Sequence, residues 1–257
     1  MSASQLQVAV FGASGRMGQA VIAVVEESAA AAVKGTVTSS GDPAAALRGA
    51  DVAIEFALPQ ATAANLAACV AAKRPLVIGT TGHDDSQRAQ IAAAAREIAI
   101  VMAPNMSLGV NLLLKLVELT AGKLDADYDI EIFEAHHRHK KDAPSGTALA
   151  LGKAAAAGRG VKLSDVEEHP RHGTGPGRSR GAIGFSVVRG GDIVGDHTVT
   201  FAGIGERIEL THRASDRLAF ARGAVLAARW LVGRPPGLYS MQDVLATSAI
   251  NLYTPIP

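Results

Sequence analysis

His136, His137, Arg138, His139, Lys140 and Lys141 stand in one run. Asp142-Ala143-Pro144 then turns the chain into Ser145-Gly146-Thr147, and an apolar helical run, ALALGKAAAA, follows. An imidazole, with its ordinary pKa near ~6.5, exchanges protons at neutral pH. Ser145 is a good helix N-cap, and the first-turn amides of the helix it opens form an anion seat. Cations, imidazoles and a helix N-terminus therefore meet in one small volume. That combination suits a substrate that carries a carboxylate and also needs protons moved. A solvated basic loop is the rival reading; the clustered histidines and the helix start weigh against it. Zinc is not expected, because there is no HExxH pattern and the only cysteine is Cys69.

A second group opens the chain. VAVFGASGRMG places Gly12, Gly15 and Gly18 between an apolar strand and a helix, where a dinucleotide pyrophosphate rests on helix amides. The spacing is G-x-x-G-x-x-G, a variant of the usual fingerprint. An acidic residue is expected ~20 positions later to hold ribose hydroxyls. Here the chain reads Thr38-Ser39-Ser40, with Asp42 just beyond. Without a carboxylate to repel a 2′-phosphate, and with Ser39, Ser40 and Arg16 as donors, the chemistry favours NADPH and leaves NADH usable. Gly79-Thr80-Thr81-Gly82 and Ala103-Pro104-Asn105-Met106 fall at the ends of later apolar strands, where ligands of open α/β sheets bind.

Elements must hold these groups in place. Residues 6–12, 34–40, 51–57, 75–80 and 98–105 read as strands, and 16–27, 60–73 and 84–97 as helices. Continuous apolar strands separated by helices predict a parallel sheet covered on both faces. Residues 108–123 read as one long helix. The run YDIEIFEA, residues 128–135, alternates acidic with apolar residues as a half-buried strand does, and the cations after it are expected outside the core. The basic, glycine-rich stretch 158–181 reads as a mobile loop. Strands at 182–190, 192–203 and 206–214 predict a mostly antiparallel or mixed sheet, and 216–231 a last long helix. The abundant alanine reads as helix filler. The fold class is thus α/β: a Rossmann-type parallel-sheet domain, residues 1–106 and 217–257, with an α+β mixed-sheet domain, residues 107–216.

Composition narrows the classes. The 257 residues are 48% hydrophobic with a formal net charge of +1. The basic residues cluster in loops rather than along a helix face, so nucleic acid is not called for. No apolar run reaches a membrane span, and MSASQLQ has no leader-like pattern. One cysteine permits no internal disulfide and fits a cytoplasmic protein.

GASGRMG, VIGTTG, APNMSLGVN and EAHHRHKKDAPSGTA, in this order in one chain, resemble the dihydrodipicolinate reductase family. The likeness runs through AIGFSVVRGGDIVGDHTVTFAGIGERIELTHRA and covers essentially the whole chain. It implies a homotetramer whose second domain binds substrate and assembles the tetramer. It also implies NAD(P)H-dependent reduction of a dicarboxylate ring with loss of its 4-hydroxyl as water, in diaminopimelate and lysine biosynthesis. By motif, His136 is the proton donor/acceptor and Lys140 the proton donor, His137 contacts substrate, and Gly146 and Thr147 bind a substrate carboxylate. Gly12, Ala13, Ser14, Gly15, Arg16 and Met17 line the cofactor with Gly79, Thr80, Thr81, Ala103, Pro104, Asn105 and Met106. Crowding by other cations is expected to destabilise the Lys140 ammonium. The family pattern often has an acidic residue followed by Arg after the second strand; Ser39-Ser40 stand there instead. A non-catalytic dinucleotide sensor and another amino-acid or dicarboxylate dehydrogenase are the competing functions. The first would not need a His136/Lys140 pair beside an anion seat, and the His-Lys loop also argues against the second.

Overall fold

The computed structural model describes residues 5–168 and 171–246. Part of the N-terminal MSASQLQ stretch (residues 1–4) and residues 169–170 of the glycine-rich stretch lie outside the described residues. In chain order the elements are β1 (Leu6–Phe11), α1 (Arg16–Glu26), β2 (Ala31–Val37), α2 (Pro43–Ala46), β3 (Val52–Glu55), α3 (Thr62–Ala72), β4 (Leu76–Ile78), α4 (Asp85–Ala94), β5 (Ala99–Met102) and α5 (Leu108–Lys123). They continue with β6 (Asp129–His136), α6 (Gly146–Gly158), α7 (Leu163–Val166), β7 (Glu167–Glu168), β8 (Ile183–Arg189), β9 (Gly195–Ala202), β10 (Arg207–Ala214), α8 (Leu218–Leu231), β11 (Gly237–Tyr239) and α9 (Met241–Ala246). The chain divides into two compact units, Met1–Leu108 with Arg217–Pro257, and Gly109–Asp216.

The first unit holds a six-stranded sheet in the order β11-β5-β4-β3-β1-β2, parallel throughout. Its inner strands are largely apolar because both faces are covered. Val8, Val10, Ile54 and Val101 pack with Val21 and Val25 of α1 and Ala224 and Leu231 of α8. Ala9, Phe11, Ile78 and Ile100 pack on the other face with Leu66 and Cys69 of α3 and Ile91 of α4. β1 lies between β2 and β3, so the chain reverses direction across the sheet there. The carboxyl ends of β1 and β3 flank the crevice that this reversal opens.

The second unit has β6 at the centre of a mixed sheet, order β10-β9-β6-β8-β7. β6 runs parallel to β8 and antiparallel to β9. Ile130 and Ile132 of β6 share a buried face with Phe185, Val199 and Phe201, covered by Leu113 and Val117 of α5 and Leu151 and Ala155 of α6. Phe133 and Val188, on the opposite face by strand alternation, are 40% and 42% exposed.

The second strand runs Ala31–Val37 rather than 34–40. Alanine is therefore not only helix filler here: Leu6↔Ala31 pairing with β1 overrides its helical propensity. The stretch 158–181 is not plain loop, because it contains α7 and β7, and Leu163 and Val166 pack against the core. Arg178 ties it to β6, donating to Asp129 Oδ1 at 2.9 Å, Glu131 Oε1 at 3.0 Å and the Ile130 carbonyl at 2.7 Å. The segment after the last long helix supplies a sixth strand, β11, paired with β5.

Candidate active site

Strand alternation puts Glu134 and His136 on the same face of β6. Both are buried, and His136 Nδ1 lies 2.5 Å from Glu134 Oε2. The expectation that the cationic run stays outside the core fails for His136, which ends the strand and is 9% exposed. Its partners explain the burial. Arg189 at the end of β8 spans both Glu134 oxygens, Nη1 to Oε2 and Nη2 to Oε1, each at 2.8 Å. Ser145 N–H donates to Glu134 Oε1 at 2.9 Å. Burial opposes charge on Glu134, yet Arg189, His136 and the Ser145 amide hold its carboxyl below the usual range. Burial pushes His136 below the ordinary imidazole value. The Glu134 charge works against that shift, and Lys140 and Arg189 work with it.

His197 of β9 completes the cluster. Its ring meets His136 edge-on at 5.1 Å, and its Nε2 lies 3.2 Å from Ser145 Oγ. Burial, with His136 close by, pushes it down to about 4. Ser145 caps α6 as its type predicts, its Oγ accepting from Ala148 N at 3.2 Å. The Ser145 amide is taken by Glu134, so the seat for an external anion falls to the next residues. Gly146 is exposed, and a Cβ there would meet open space. The surroundings of Lys140 differ from expectation. Its ammonium pairs with Asp142 Oδ2 at 3.0 Å, so a carboxylate compensates the neighbouring cations. His137 is half-buried, and its Nδ1 lacks a hydrogen-bond partner among the described residues. Such an orphaned atom fits a ligand contact.

The first unit brings the other predicted residues to strand ends. Gly12 follows β1 at φ +79°, where a Cβ would collide with the Phe56 carbonyl, and a Cβ at Gly18 would collide with Gly12. Only glycine permits that tight turn, which leaves Ser14, Gly15 and Arg16 exposed at the start of α1; Ala13 is buried and Met17 half-buried. Gly79 is packed under the Phe56 ring. Thr80 is buried, accepting from Ala57 N at 3.0 Å and donating to Glu55 Oε1 at 3.1 Å, while Thr81 is exposed. Thr62 Oγ1 donates to the same Glu55 oxygen at 2.7 Å and lies 2.9 Å from His83 Nε2. Ala103 and Met106 are buried, Pro104 is exposed, and half-buried Asn105 accepts from Ser107 N at 2.9 Å. Ser39 and Ser40 lie exposed in the turn after β2. The nearby carboxylate, Asp42, caps α2 through Ala44 N at 2.9 Å. A glycine-lined cradle at a helix N-terminus, beside the β1/β3 reversal, fits a dinucleotide.

Sequence reasoning missed Glu134, Arg189 and His197 in the second unit, and Glu55 and Phe56 in the first. The i, i+2 spacing of Glu134 and His136 on a strand was a usable signal. Arg189 and His197 had none, because strand pairing alone brings them there, Arg189 opposite His136 and His197 opposite Glu134. Among the described residues, no group of three or more His, Cys, Asp or Glu side chains could hold a metal ion, and no helix is long and apolar enough to cross a membrane.

A family model described as dihydrodipicolinate reductase, N-terminus, matches residues 6–106, and one described as dihydrodipicolinate reductase, C-terminus, matches residues 109–245. A protein of Thiobacillus denitrificans named 4-hydroxy-tetrahydrodipicolinate reductase is 50% identical over 262 residues, covering 93% of this chain and 98% of that one. One of the same name from Dinoroseobacter shibae is 51% identical, covering 93% and 97%. Among solved structures, the dipicolinate-bound dihydrodipicolinate reductase of Paenisporosarcina sp. TG-14 shares the fold with a TM-score of 0.76 at 24% identity, covering 93% of this chain and 99% of that one.

Proposed function

Since the chain belongs to the dihydrodipicolinate reductase family, we propose that it reduces 4-hydroxy-tetrahydrodipicolinate to tetrahydrodipicolinate in diaminopimelate and lysine biosynthesis. It is an NAD(P)H-dependent oxidoreductase. The balance is substrate plus NAD(P)H plus a proton, giving product, NAD(P)+ and water. The reduced nicotinamide supplies the hydride.

The rest falls to this chain's residues. The departing hydroxyl leaves as water only if it gains a proton. Lys140, with a counter-ion at hand in Asp142, is the donor, and His136 exchanges protons with the ring. Gly146 and Thr147 in the first turn of α6 take one substrate carboxylate, and His137 contacts the ring. Gly12 to Met17 cradle the pyrophosphate, with Gly79 to Thr81 and Ala103 to Met106 lining the same crevice. The observation that carries this assignment is the buried imidazole of His136, fixed by Glu134 next to the N-cap of α6. A sensor that only bound dinucleotide would have no use for it.

NADPH is the preferred cofactor. Ser39 and Ser40 stand free of any carboxylate committed to a ribose, since Asp42 caps α2. The ratio of kcat/KM for NADPH and NADH tests this, and a strong NADH preference would overturn it. The chain works as a cytoplasmic homotetramer. The outward sheet face bearing Phe133 and Val188 in the second unit supports self-association. Light scattering of the wild type and of Phe133→Glu tests it, with a smaller species expected for the variant.

The deciding assay generates the substrate in place, from pyruvate and aspartate semialdehyde with a purified synthase. Oxidation of NADPH that depends on the synthase product is the expected result. No oxidation with either cofactor, by protein that still binds NADPH, would favour the sensor.

A further inference from the structure

A carboxylate as deeply buried as Glu134 is costly unless every oxygen is satisfied. Here both are: Oε2 meets His136 Nδ1 and Arg189 Nη1, and Oε1 meets Arg189 Nη2 and Ser145 N. An ion pair serving stability alone would need only Arg189. Instead one carboxylate joins the imidazole to the N-cap of α6, and Arg189 carries on to the Asp142 carbonyl at 2.6 Å, at the end of the loop that holds Lys140. The far side of the His136 ring borders Gly195, where a Cβ would come within 3.1 Å of Nε2. Glycine at that position keeps the second nitrogen uncrowded.

We propose that Glu134, backed by Arg189, is the positioning residue for His136. It holds Nδ1–H, so that Nε2 is the atom that trades a proton with substrate, and it ties that imidazole to the seat of the substrate carboxylate. This rests on the reading of His136 as proton exchanger and of Gly146 and Thr147 as that seat. Nδ1 keeps its proton throughout. Nε2 gains or releases one, and Glu134 stays ionised, so no proton is transferred to it.

The charged and titratable groups facing His136 come from every element around it. They are Glu134 on its own strand, Arg189 on β8, His197 on β9 with His212 of β10 behind it, and Lys140 in the following loop with Asp142 at its side. Two of them act with opposite sign. Removing the Glu134 charge lets His136 protonate only at lower pH, and removing the Arg189 charge lets it protonate at higher pH.

The test uses the full chain with Glu134→Gln, Arg189→Gln and the double variant, which restores neutrality if the single arginine variant fails to fold. Thermal melts and NADPH titration serve as fold controls. Glu134→Gln is expected to lower kcat by ~10- to 100-fold, part of the ~10²–10⁴ that a general acid–base group contributes, with NADPH binding unchanged. The acid limb of kcat/KM should move to lower pH in Glu134→Gln and to higher pH in Arg189→Gln. In 15N-histidine-labelled protein, the Nδ1–H signal of His136 should be present in the wild type and lost or mixed with the other tautomer in Glu134→Gln and in the double variant. An unshifted limb together with an unchanged tautomer signal would overturn the proposal, even if melting falls. Near-normal turnover in His136→Gln would instead refute the reading of His136 itself, so the two failures are distinguishable.

Discussion

Lys140 Nζ lies 3.0 Å from Asp142 Oδ2, so the loop that carries the proposed proton donor also carries its counter-ion. Lys140→Ala should lower kcat by ~10²-fold or more while the Kd for NADPH, measured by fluorescence titration, stays put. Asp142→Asn should have a smaller effect, because the ammonium survives. Near-normal turnover in Lys140→Ala would remove Lys140 from the chemistry.

Two glycines should respond oppositely to the same methyl group. Gly12→Ala places a side chain at φ +79° against the Phe56 carbonyl. The left-handed backbone alone costs about 1–2 kcal/mol, so melting should fall and NADPH binding weaken. Gly146→Ala puts its methyl in open space within a helix. Stability should hold or rise slightly, while KM for the dicarboxylate substrate increases. An unchanged KM would remove Gly146 from the seat.

His197 sets a pH dependence of stability. Its folded value, about 4, lies below the 6.5 of a free imidazole. Between those values the unfolded chain binds the extra proton and the folded chain does not. Stability from this group is therefore full above pH 6.5, lost as pH falls toward 4, and level below. The loss is roughly 3 kcal/mol at most. Urea melts at pH 7.5 and pH 5 should show the drop, and His197→Gln should make it shallower, with the remainder due to His136 and the other depressed histidines. An equal drop in the variant would assign the effect to other groups.

Glu55 is fully buried at the end of β3, and burial raises its carboxyl above the usual range. Thr62 and Thr80 both donate to it. Glu55→Ala leaves the buried Thr80 hydroxyl short of an acceptor, at about 1–3 kcal/mol, and leaves Thr62 with His83 Nε2 at 2.9 Å as its remaining partner. Lower stability and weaker NADPH binding are expected together, because Thr80 belongs to the loop proposed to line the cofactor crevice. Unchanged NADPH affinity would confine Glu55 to a packing role.

Local pattern made much of this legible. The glycine turn after β1 and the apolar strands of the first unit could be read because each is a short-range signal, a φ requirement or an unbroken apolar run. Helix α5 has the bounds its sequence predicts, since its apolar spacing runs uninterrupted from Leu108 to Lys123. The rest depended on pairing between distant segments. Ala31 and Ala32 became strand because β1 was there to pair with them. Arg189 stands 55 positions from Glu134 in the chain, and only the β6–β8 register joins them. The counter-ion of Lys140 is two residues away, but sequence alone does not show that the turn at Asp142 folds its carboxylate back onto the ammonium.

The central place of β6 has a consequence for how activity is lost. Its side chains alternate between the α5/α6 face and the outward face, and it is bonded on one side to β8 and on the other to β9. A slip of one residue would turn Glu134 and His136 outward and Phe133 inward, emptying the site and spoiling the core at once. The register of β6 thus ties the candidate site to the core. As the second unit is denatured, turnover should vanish in the same cooperative step as its sheet, with no dimly active species between.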